Sequence, residues 1–541
     1  MPALDRKWWT LIAVCTATFM LLLDITIVNV ALPSIQRSLH SSFSDLQWVV
    51  DAYSLTLAVC LLTAGVIGDI RGRRAIFAAG LVIFTLSSLV CGLSSSPLML
   101  TIARAVQGTG GAVMSATSVA LIASAFQGRD RGTAFGIYGA VLGGAVAIGP
   151  LVGGALTSGV GWRWIFYVNV PIGVVAVALT LAKVKESRDP TGRTIDWAGV
   201  ALFSVSLFTL VLALIRGNDD GWGSAKIVGL LVVSAITLGL FIFTELRVKQ
   251  PMLDLSLFRR PAMTGVSMVA FTLGASAFAL FLYMTLYIQD GLGYGPLAAG
   301  LRFLPTTLLA FLVAPIAGKL TVKVQSRFPL GIGMLLVAGA LLLMATTTPT
   351  SGWGQLLPGF IVLGAGIGLI NPVLASASVA VVPVQRSGMA SGANLTLRQL
   401  GIATGIAGLG AVFANQIQHH TVAVLNSTAA GRQVLQHGGA ALQGAVQAGG
   451  VREAAAAIPD PAARAALLHA YGVGFSHTFN ELMVIGAVIS LVGAVFAFAM
   501  VRQRDFVYNQ VGARGGAAAR PEGADVPGHQ HEPGTVEPSP A

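Results

Sequence analysis

One carboxylate and one guanidinium interrupt long apolar stretches of this chain, and together they could bind and release a proton. Asp24 lies in the apolar run that begins at Trp8, and Arg104 lies in another such run. A charge near the centre of a bilayer costs roughly 2.5–3.5 kcal/mol on insertion scales, so such residues are functional candidates. Because loss of water favours the protonated form of a carboxylate, we predict that Asp24 exchanges a proton and that Arg104 governs the exchange. A permanently paired aspartate and an arginine bound to backbone carbonyls are the structural alternatives.

A second candidate is the loop GVIGDIRGRR at residues 65–74. A two-residue turn between helices needs a residue that tolerates positive φ, which Gly72 supplies. Asp69 can accept hydrogen bonds from Arg73 or from the N-terminus of a neighbouring helix. Such a pair would lock one conformation and release it in another, whereas an ordinary basic loop is the alternative. The predicted gate consists of Gly65, Asp69, Gly72, Arg73 and Arg74.

A third candidate is the segment GAVAIGPLVGG at residues 144–154. Pro150 lacks an amide donor and bends a helix, while glycines let a facing helix approach closely. The pattern by itself predicts a kinked helix that a facing helix can approach closely. Its residues are Gly144, Gly149, Pro150, Gly153 and Gly154.

A weaker set of polar and aromatic residues within apolar runs could line a ligand cavity. Its members are Asn29, Asp51, Tyr53, Asn394 and Arg398. Asp51 fits a solvated cavity mouth equally well.

The elements that must position these residues are membrane helices. Hydrophobic residues make up 55% of the 541 residues and charged residues only 10%, whereas soluble domains carry about 25% charged residues. With roughly 20 residues needed per span, fourteen spans are predicted. They are 8–35, 46–67, 75–94, 98–125, 132–157, 163–183, 196–216, 225–246, 262–289, 297–320, 328–348, 355–382, 387–416 and 474–501.

The net charge of +11 reflects membrane topology rather than nucleic-acid binding. Most Lys and Arg residues fall in the segments that share one face when the N-terminus is placed inside. This bias follows the positive-inside rule and predicts that both termini are cytoplasmic. Composition further predicts a long outer loop at 417–473 and a disordered cytoplasmic tail at 502–541.

An internal repeat relates the two halves of the chain. Residues 108–136 align without gaps to 364–392 at an offset of 256, with glycines coinciding at both ends. Two related helical halves with ligand held between them are typical of alternating-access transporters.

Several segments, in order, resemble one family. The 65–74 loop resembles motif A of the major facilitator superfamily, departing from it at Ile70. Residues 23–33 resemble the helix 1 signature of its fourteen-helix drug:proton antiporters, and residues 104–110 and 144–154 resemble their motifs B and C. The resemblance to motif C implies that the third candidate is a seal at the interface of two helix bundles, with a kinked packing helix as the alternative. Residues 287–305 resemble the junction of helices 9 and 10, and the whole resemblance covers about residues 8–410.

The resemblance implies an all-α integral membrane fold of two six-helix major-facilitator bundles with two extra helices between them. The expected bundles are 8–183 and 262–501, and the inserted helices lie at 196–246. It also implies a monomeric, proton-coupled multidrug antiporter of the bacterial plasma (inner) membrane, active in antibiotic resistance. The expected partners are the lipid bilayer, protons and small hydrophobic or cationic substrates, with no nucleic acid.

No nucleotide-binding loop, hydrolase signature or metal-ligand spacing is present in the sequence, so an enzyme is not expected. We expect no cofactor and no metal, with the proton gradient as the energy source. Export of an endogenous lipid, siderophore or metabolite remains an alternative. A non-transporting membrane sensor is a further alternative, from another functional class.

Overall fold

A computed structural model describes residues 5–41, 43–189, 194–436 and 451–507. Long helices dominate this part of the chain, and no strand occurs in it. The helices are α1 (Arg6–Leu39), α2 (Phe43–Arg71), α3 (Arg73–Leu93), α4 (Pro97–Ala125), α5 (Gly128–Gly159), α6 (Trp164–Tyr167), α7 (Asn169–Lys183), α8 (Trp197–Asp220), α9 (Ala225–Glu245), α10 (Pro261–Leu273), α11 (Ala279–Leu286), α12 (Pro296–Arg302), α13 (Leu304–Lys323), α14 (Arg327–Met344), α15 (Leu357–Ala380), α16 (Ser387–Asn426), α17 (Val451–Ala456) and α18 (Pro461–Met500).

Thirteen membrane-crossing candidates occur within the described residues, judged by length and apolar composition. The all-helical membrane class is therefore confirmed. The helix at the fifth predicted span, α5, is not among the thirteen, so the count of fourteen stays a prediction. The ninth predicted span is one continuous rod in which π-helical turns at Gly274–Phe278 and Tyr287–Gly291 flank α11.

The helices form two packed groups. In the first, α4 packs on α2 and α3, and α1 packs on α5 and α7. In the second, α15 packs on α13 and α14, and α18 packs on α10, α14 and α16. Separate apolar cores fill the two groups. Two clusters are rich in residues before 185, and one is rich in residues after 250.

Equivalent glycines make equivalent contacts in the two groups. A Cβ on Gly108 of α4 would overlap the backbone of Tyr53 in α2, and one on Gly364 of α15 would overlap the backbone of Thr306 in α13. These two glycines coincide in the repeat at offset 256. Small residues let membrane helices approach backbone to backbone, so the repeated sequence pattern marks a repeated helix contact.

The two groups meet through two glycine pairs. Gly136 of α5 lies directly against Gly318 of α13, and Gly65 of α2 lies directly against Gly388 of α16. No side chain separates the backbones at either crossing. The interface can therefore be closed only while all four positions remain small.

α8 and α9 pack on each other, and α8 also touches both groups through α2 and α16. The side-chain amide of Asn218 in α8 donates to the carbonyl of Ala407 in α16 at 3.1 Å. α9 leaves most of its surface open, as expected for a helix that faces lipid. The division into two bundles and two inserted helices, with the bounds given above, stays a prediction.

Parts of the predicted outer loop at 417–473 are helical. α16 continues to Asn426, and α18 begins at Pro461. The side chain of Asp460 caps the start of α18 by accepting from the amides of Ala462 and Ala463. Of the predicted disordered tail, residues 508–541 lie outside the described residues.

Gly364→Val should destabilise the protein, because the added side chain meets the Thr306 backbone, which cannot move aside. Overpacking of this kind costs about 1–3 kcal/mol. Gly339→Val is the matched control, since no atom lies within 4 Å of the place that a Cβ would occupy at this position on α14. Thermal unfolding of the detergent-purified protein measures both. Equal melting temperatures for the two variants would show that the α13–α15 contact is not tight.

Candidate functional site

Asp24 is the centre of a buried polar network. Its Oδ2 accepts from Arg104 Nη1 at 2.6 Å, and its Oδ1 accepts from Gln107 Nε2 and Asn169 Nδ2, both at 3.0 Å. The Asp24 side chain is 0% exposed and that of Arg104 is 2% exposed. Three donors thus replace the water that a carboxylate at this depth has lost. The structure therefore brings the two residues predicted for proton exchange into one ion pair.

Arg104 is held on all sides. Its Nη1 also donates to Gln107 Oε1 at 2.7 Å, and its Nε donates to the Val49 carbonyl at 3.4 Å. The ring of Tyr53 lies under the guanidinium, 4.0 Å from its central carbon, a distance typical of a cation–π contact. Tyr53, predicted to line the cavity, is 2% exposed and belongs to this network.

Three helices supply Asp24 and its three direct donors. α1 carries Asp24, α4 carries Arg104 and Gln107 three residues apart on one face, and α7 begins with Asn169. The Asn169 amide also donates to Ser88 Oγ of α3 at 3.1 Å. With Val49 and Tyr53 of α2 beside Arg104, a change in the charge of Asp24 would therefore affect five helices at once.

The glycine segment at 144–154 holds α1 in place. A Cβ on Gly149 would overlap the Thr26 side chain, and one on Gly153 would press on the Ile27 backbone. Thr26 and Ile27 follow Asp24 by less than one turn of α1. Two of the predicted seal residues therefore fix the position of the buried carboxylate.

The remaining seal residues face the second group of helices. Gly144 lies against the ring of Phe311 in α13, and Gly154 lies against Leu297 in α12. α5 thus contacts both helix groups through one glycine segment. The side chain of Pro150 lies outside the described part of the structure.

Asp69 joins the two helix groups at the face that carries the basic loops 71–74, 126–131 and 184–189, called the basic face below. Its Oδ1 accepts from Arg73 Nη2 at 2.7 Å and from the Gly388 amide at 2.9 Å, and its Oδ2 accepts from the Met389 amide at 2.8 Å. Gly388 and Met389 lie in the first turn of α16, where free amides and the helix dipole favour an anion. Asp69 therefore caps a helix of the other group.

Arg73 completes this contact. It is 2% exposed, and its Nη2 also donates to the carbonyls of Val384 and Gln385, just before α16. Gly72, the preceding residue, has a φ of 118°, which agrees with the turn predicted from the sequence. Four of the predicted gate residues, Gly65, Asp69, Gly72 and Arg73, thus form one buried cluster between α2, α3 and α16. The side chain of Arg74 is partly exposed and lies 3.8 Å from the Glu186 carboxylate.

A segment after α7 forms hydrogen bonds with the turn between α2 and α3. The Glu186 carboxylate accepts from the amides of Arg74 at 2.9 Å and Ala75 at 3.1 Å, so it caps α3 from outside the helix. The Asp189 amide donates to the Asp69 carbonyl at 2.8 Å. Sequence reasoning missed Glu186, which sits in a polar loop with no spacing that distinguishes it.

A second ion pair lies nearby. Arg386 Nη1 donates to Asp254 Oδ2 at 2.9 Å and ties the start of α16 to the segment before α10. Burial alone would raise the pKa of the Asp254 carboxyl, but hydrogen bonds from Ser256 and Arg386 outweigh burial and hold the pKa below its usual range. This carboxylate therefore stays ionised at neutral pH and keeps its partner.

The weaker cavity candidates do not form one cluster. Asp51 is partly buried and interacts electrostatically with Arg216 at the end of α8. Asn394 is buried and donates to the Val266 carbonyl of α10 at 3.4 Å. Arg398 is half-buried and lies on α16 near Phe278. The side chain of Asn29 lies outside the described part of the structure.

Two members of the Asp24 network were not predicted as site residues. Gln107 was noted only as part of the segment 104–110, and Asn169 was not singled out. Both are amide side chains inside apolar runs, and this could have identified them, because a buried amide needs a partner. Their spacing from Asp24 along the chain gave no indication of contact.

Most of the chain matches a known protein family. A family model described as Major Facilitator Superfamily matches residues 14–406. The chain belongs to the major facilitator superfamily.

Curated relatives of this major facilitator protein are named for drug resistance. "Multidrug resistance protein Stp" of Mycobacterium tuberculosis is 38% identical over 75% of each chain. "Tetracenomycin C resistance and export protein" of Streptomyces glaucescens is 33% identical over 76% of this chain and 77% of its own. "Puromycin resistance protein pur8" of Streptomyces alboniger is 36% identical over 75% and 82%.

Solved major facilitator structures share the fold. The proton:xylose symporter XylE superposes with a TM-score of 0.61 at 13% identity, covering 94% of this chain and 99% of its own. The human organic anion transporter MFSD10 superposes with a TM-score of 0.59 at 14% identity, covering 90% and 100%. The family and fold together show a multi-pass membrane transporter rather than an enzyme.

Asp69→Asn should loosen the basic face. Hydrogen bonds to a charged group contribute about 1.5–3 kcal/mol, against about 0.5–1.5 kcal/mol for neutral ones, so removing the charge should raise opening at least about tenfold. Hydrogen exchange of the amides at 388 and 389 measures this opening. Asp130→Asn is the control, because Asp130 pairs with Lys7 on the exposed surface. Unchanged exchange in Asp69→Asn would show that the carboxylate does not hold α16.

Gly149→Val should displace α1 from α5 and misplace Asp24. We expect normal insertion but transport reduced about tenfold or more, because displacement of a reacting group by about 1 Å can cost 10²-fold. Gly159→Val, on the same helix with no atom within 4 Å of the added Cβ, should transport like the wild type. Drug accumulation in cells expressing each variant provides the measurement. Equal accumulation in both variants would contradict the role of this contact.

Proposed function

We propose that the protein is a proton-coupled antiporter that exports hydrophobic drugs or antibiotics by alternating access. Its curated relatives are named for resistance to or export of such compounds. Its family consists of transporters, and its two helix groups meet through contacts that can be closed and released. Exchange for protons is the finer part of the proposal and depends on the chemistry of Asp24.

The observation that supports proton coupling is the buried ion pair of Asp24 and Arg104. Its 2.6 Å contact lies where neither side chain meets solvent. An arginine keeps its charge in proteins, so Asp24 is the member of the pair that can be neutralised. A proton on Asp24 would replace Arg104 as its partner and leave the guanidinium without a counter-charge.

That loss forces a rearrangement. A buried charge that loses its partner is destabilised by about 3–5 kcal/mol, so the protonated network favours a different helix arrangement. One charge crossing 100 mV supplies roughly 2.3 kcal/mol, and each pH unit supplies about 1.4 kcal/mol. A proton gradient of ordinary size can therefore supply the free energy of this rearrangement.

In the proposed cycle, a proton reaches Asp24 while the cavity faces outward, and substrate leaves. The protonated network then favours opening of the basic face, where the bonds of Asp69 to α16 must break. Release of the proton inside restores the Asp24–Arg104 pair as substrate binds. Closure of the basic face re-forms the bonds of Asp69 and returns the protein to the outward state.

Export of an endogenous metabolite would use the same cycle. Drugs are the favoured substrates because the curated relatives are named for drug resistance or export. A sensor without transport is disfavoured because the family consists of transporters. The proton step distinguishes the proposal from both alternatives.

Substrate-dependent proton movement tests the proposal. Everted membrane vesicles with an acid interior would receive anionic and cationic aromatic drugs in turn, and a pH-sensitive dye would report loss of the gradient. We expect wild-type protein to release protons on addition of substrate. Asp24→Asn should reduce this release to the level of vesicles without the protein, and Asp24→Glu should retain part of it. Asp130→Asn, a surface carboxylate variant, should behave like the wild type.

A loss of folding must be separated from a loss of coupling. Downhill exchange of whichever drug elicits proton release, in labelled form, needs helix movement but no net proton transfer. Asp24→Asn should therefore keep exchange while it loses proton release. Proton release that survives in Asp24→Asn would place coupling elsewhere, and no release by the wild type with any compound would contradict antiport.

A further inference from the structure

Arg398 is a membrane-embedded cation without a counter-charge among the residues whose side chains the structure describes. It lies on α16, about 17 Å along the helix from Ser387 at 1.5 Å per residue, and hence near the middle of a bilayer core of roughly 30 Å. Within the described part of the chain, its guanidinium makes no hydrogen bond and no ion pair. Its aromatic contact is with the ring of Phe278, 5.8 Å from the guanidinium carbon.

Two other arginines inside the helix groups are paired. Arg104 contacts Asp24 at 2.6 Å, and Arg73 contacts Asp69 at 2.7 Å. Each of these two arginines is 2% exposed and makes several further hydrogen bonds. Arg398 is partly buried, and its guanidinium has no protein acceptor within the described part of the chain. The contrast indicates a group held ready for a partner that is not part of the chain.

The position of Arg398 is fixed and central. The backbone carbonyl of Arg398 lies directly against Gly274, at the start of a π-helical turn in the second helix group. Tyr138, a buried phenol on α5 of the first group, lies within electrostatic range of Arg398. π-Helical turns occur frequently at functional sites. Arg398 therefore lies between the two helix groups, where transporters of this architecture hold substrate.

An aromatic row leads away from the guanidinium. The ring of Phe278 lies 6.3 Å from that of Phe281, which in turn lies 5.5 Å from the ring of Phe303. All three rings are partly exposed. They provide an apolar surface that begins at the charge, so a ligand that fits both has an anionic end and an aromatic body.

We propose that Arg398 binds the acidic group of the transported compound and that the preferred substrates are amphipathic aromatic anions, such as carboxylic acids or ionised phenols. This inference rests on the proposed export function and names its substrate class. It replaces the cationic substrates expected from the sequence, because a cation beside Arg398 would add a second like charge at low dielectric.

The energetics of export agree with an anion. In a cell with a negative interior, outward movement of one negative charge is favoured by roughly 2.3 kcal/mol per 100 mV. The inward proton gains from the same potential. Exchange of an anion for a proton therefore uses the membrane potential twice, whereas export of a cation opposes it.

Equilibrium binding of two related dyes tests the proposal. Fluorescein is an anion and rhodamine 123 a cation, and both have the same tricyclic aromatic body. Fluorescence anisotropy with the full-length protein in lipid nanodiscs measures the affinity for each dye. We expect the wild type to bind fluorescein at least tenfold more tightly than rhodamine 123.

Variants at position 398 test whether the guanidinium itself binds the anionic dye. Arg398→Gln should weaken fluorescein binding at least tenfold and leave rhodamine 123 binding unchanged or stronger, while Arg398→Lys should retain part of the preference. Arg302→Gln is the control, because Arg302 already has partners within the protein. This residue, at the end of α12, lies over the ring of Tyr294 and donates to the Ala298 carbonyl. It should bind both dyes like the wild type.

Preference for rhodamine 123, equal loss of both dyes in Arg398→Gln, or no saturable binding of fluorescein would each overturn the proposal. The measurement needs neither transport nor a proton gradient. Arg398-dependent fluorescein binding without substrate-driven proton release would therefore refute the antiport function alone. Proton release with cationic compounds and no role for Arg398 would refute the substrate class alone.

Discussion

A carboxylate inside a bilayer is stable only where the protein replaces its water, and the placement of Asp24 shows what this requires. Three donors from two other helices surround it, and the strongest is a guanidinium that is itself held by Val49, Gln107 and Tyr53. Such a network cannot lose one charge and keep its geometry, because the remaining charge would stand unpaired. The helices α1, α4 and α7 are therefore coupled through the protonation state of one residue.

Close approach of backbones is what allows that network to form. Gly149 and Gly153 bring α5 against α1 beside Asp24, and Gly108 lets α2 and α4 meet beside Arg104. The same principle joins the two helix groups at Gly136 with Gly318 and at Gly65 with Gly388. Lipid offers no hydrophobic gain for helix association, so these contacts depend on tight packing and on the polar bonds placed next to them.

The sequence predicted the local features and missed the distant partners. Asp24 and Arg104 were recognisable because charges are rare in apolar runs, and Asp69 was recognisable because Gly72 marks a turn. Asn169 lies 145 positions from Asp24, and Glu186 is one acid in a polar loop, so neither showed its role before the helices were placed. Likewise, Tyr53 was expected in a cavity, yet it lies under Arg104. Fold class followed from composition and repeated glycines, whereas contacts between halves required the three-dimensional arrangement.

The two helix groups repeat each other in packing but differ in charge. Gly108 and Gly364 make matching contacts, yet the first group holds a neutralised pair at Asp24 and Arg104, while the second holds Arg398 without a counter-charge in the described structure. α5 reaches both regions, since Gly149 presses on α1 beside Asp24 and Tyr138 lies within electrostatic range of Arg398. If the carboxylate takes the proton and the lone arginine takes an anionic substrate, a shift of α1 against α5 changes the surroundings of both charges together. This physical link lets one half respond to the ligand bound by the other.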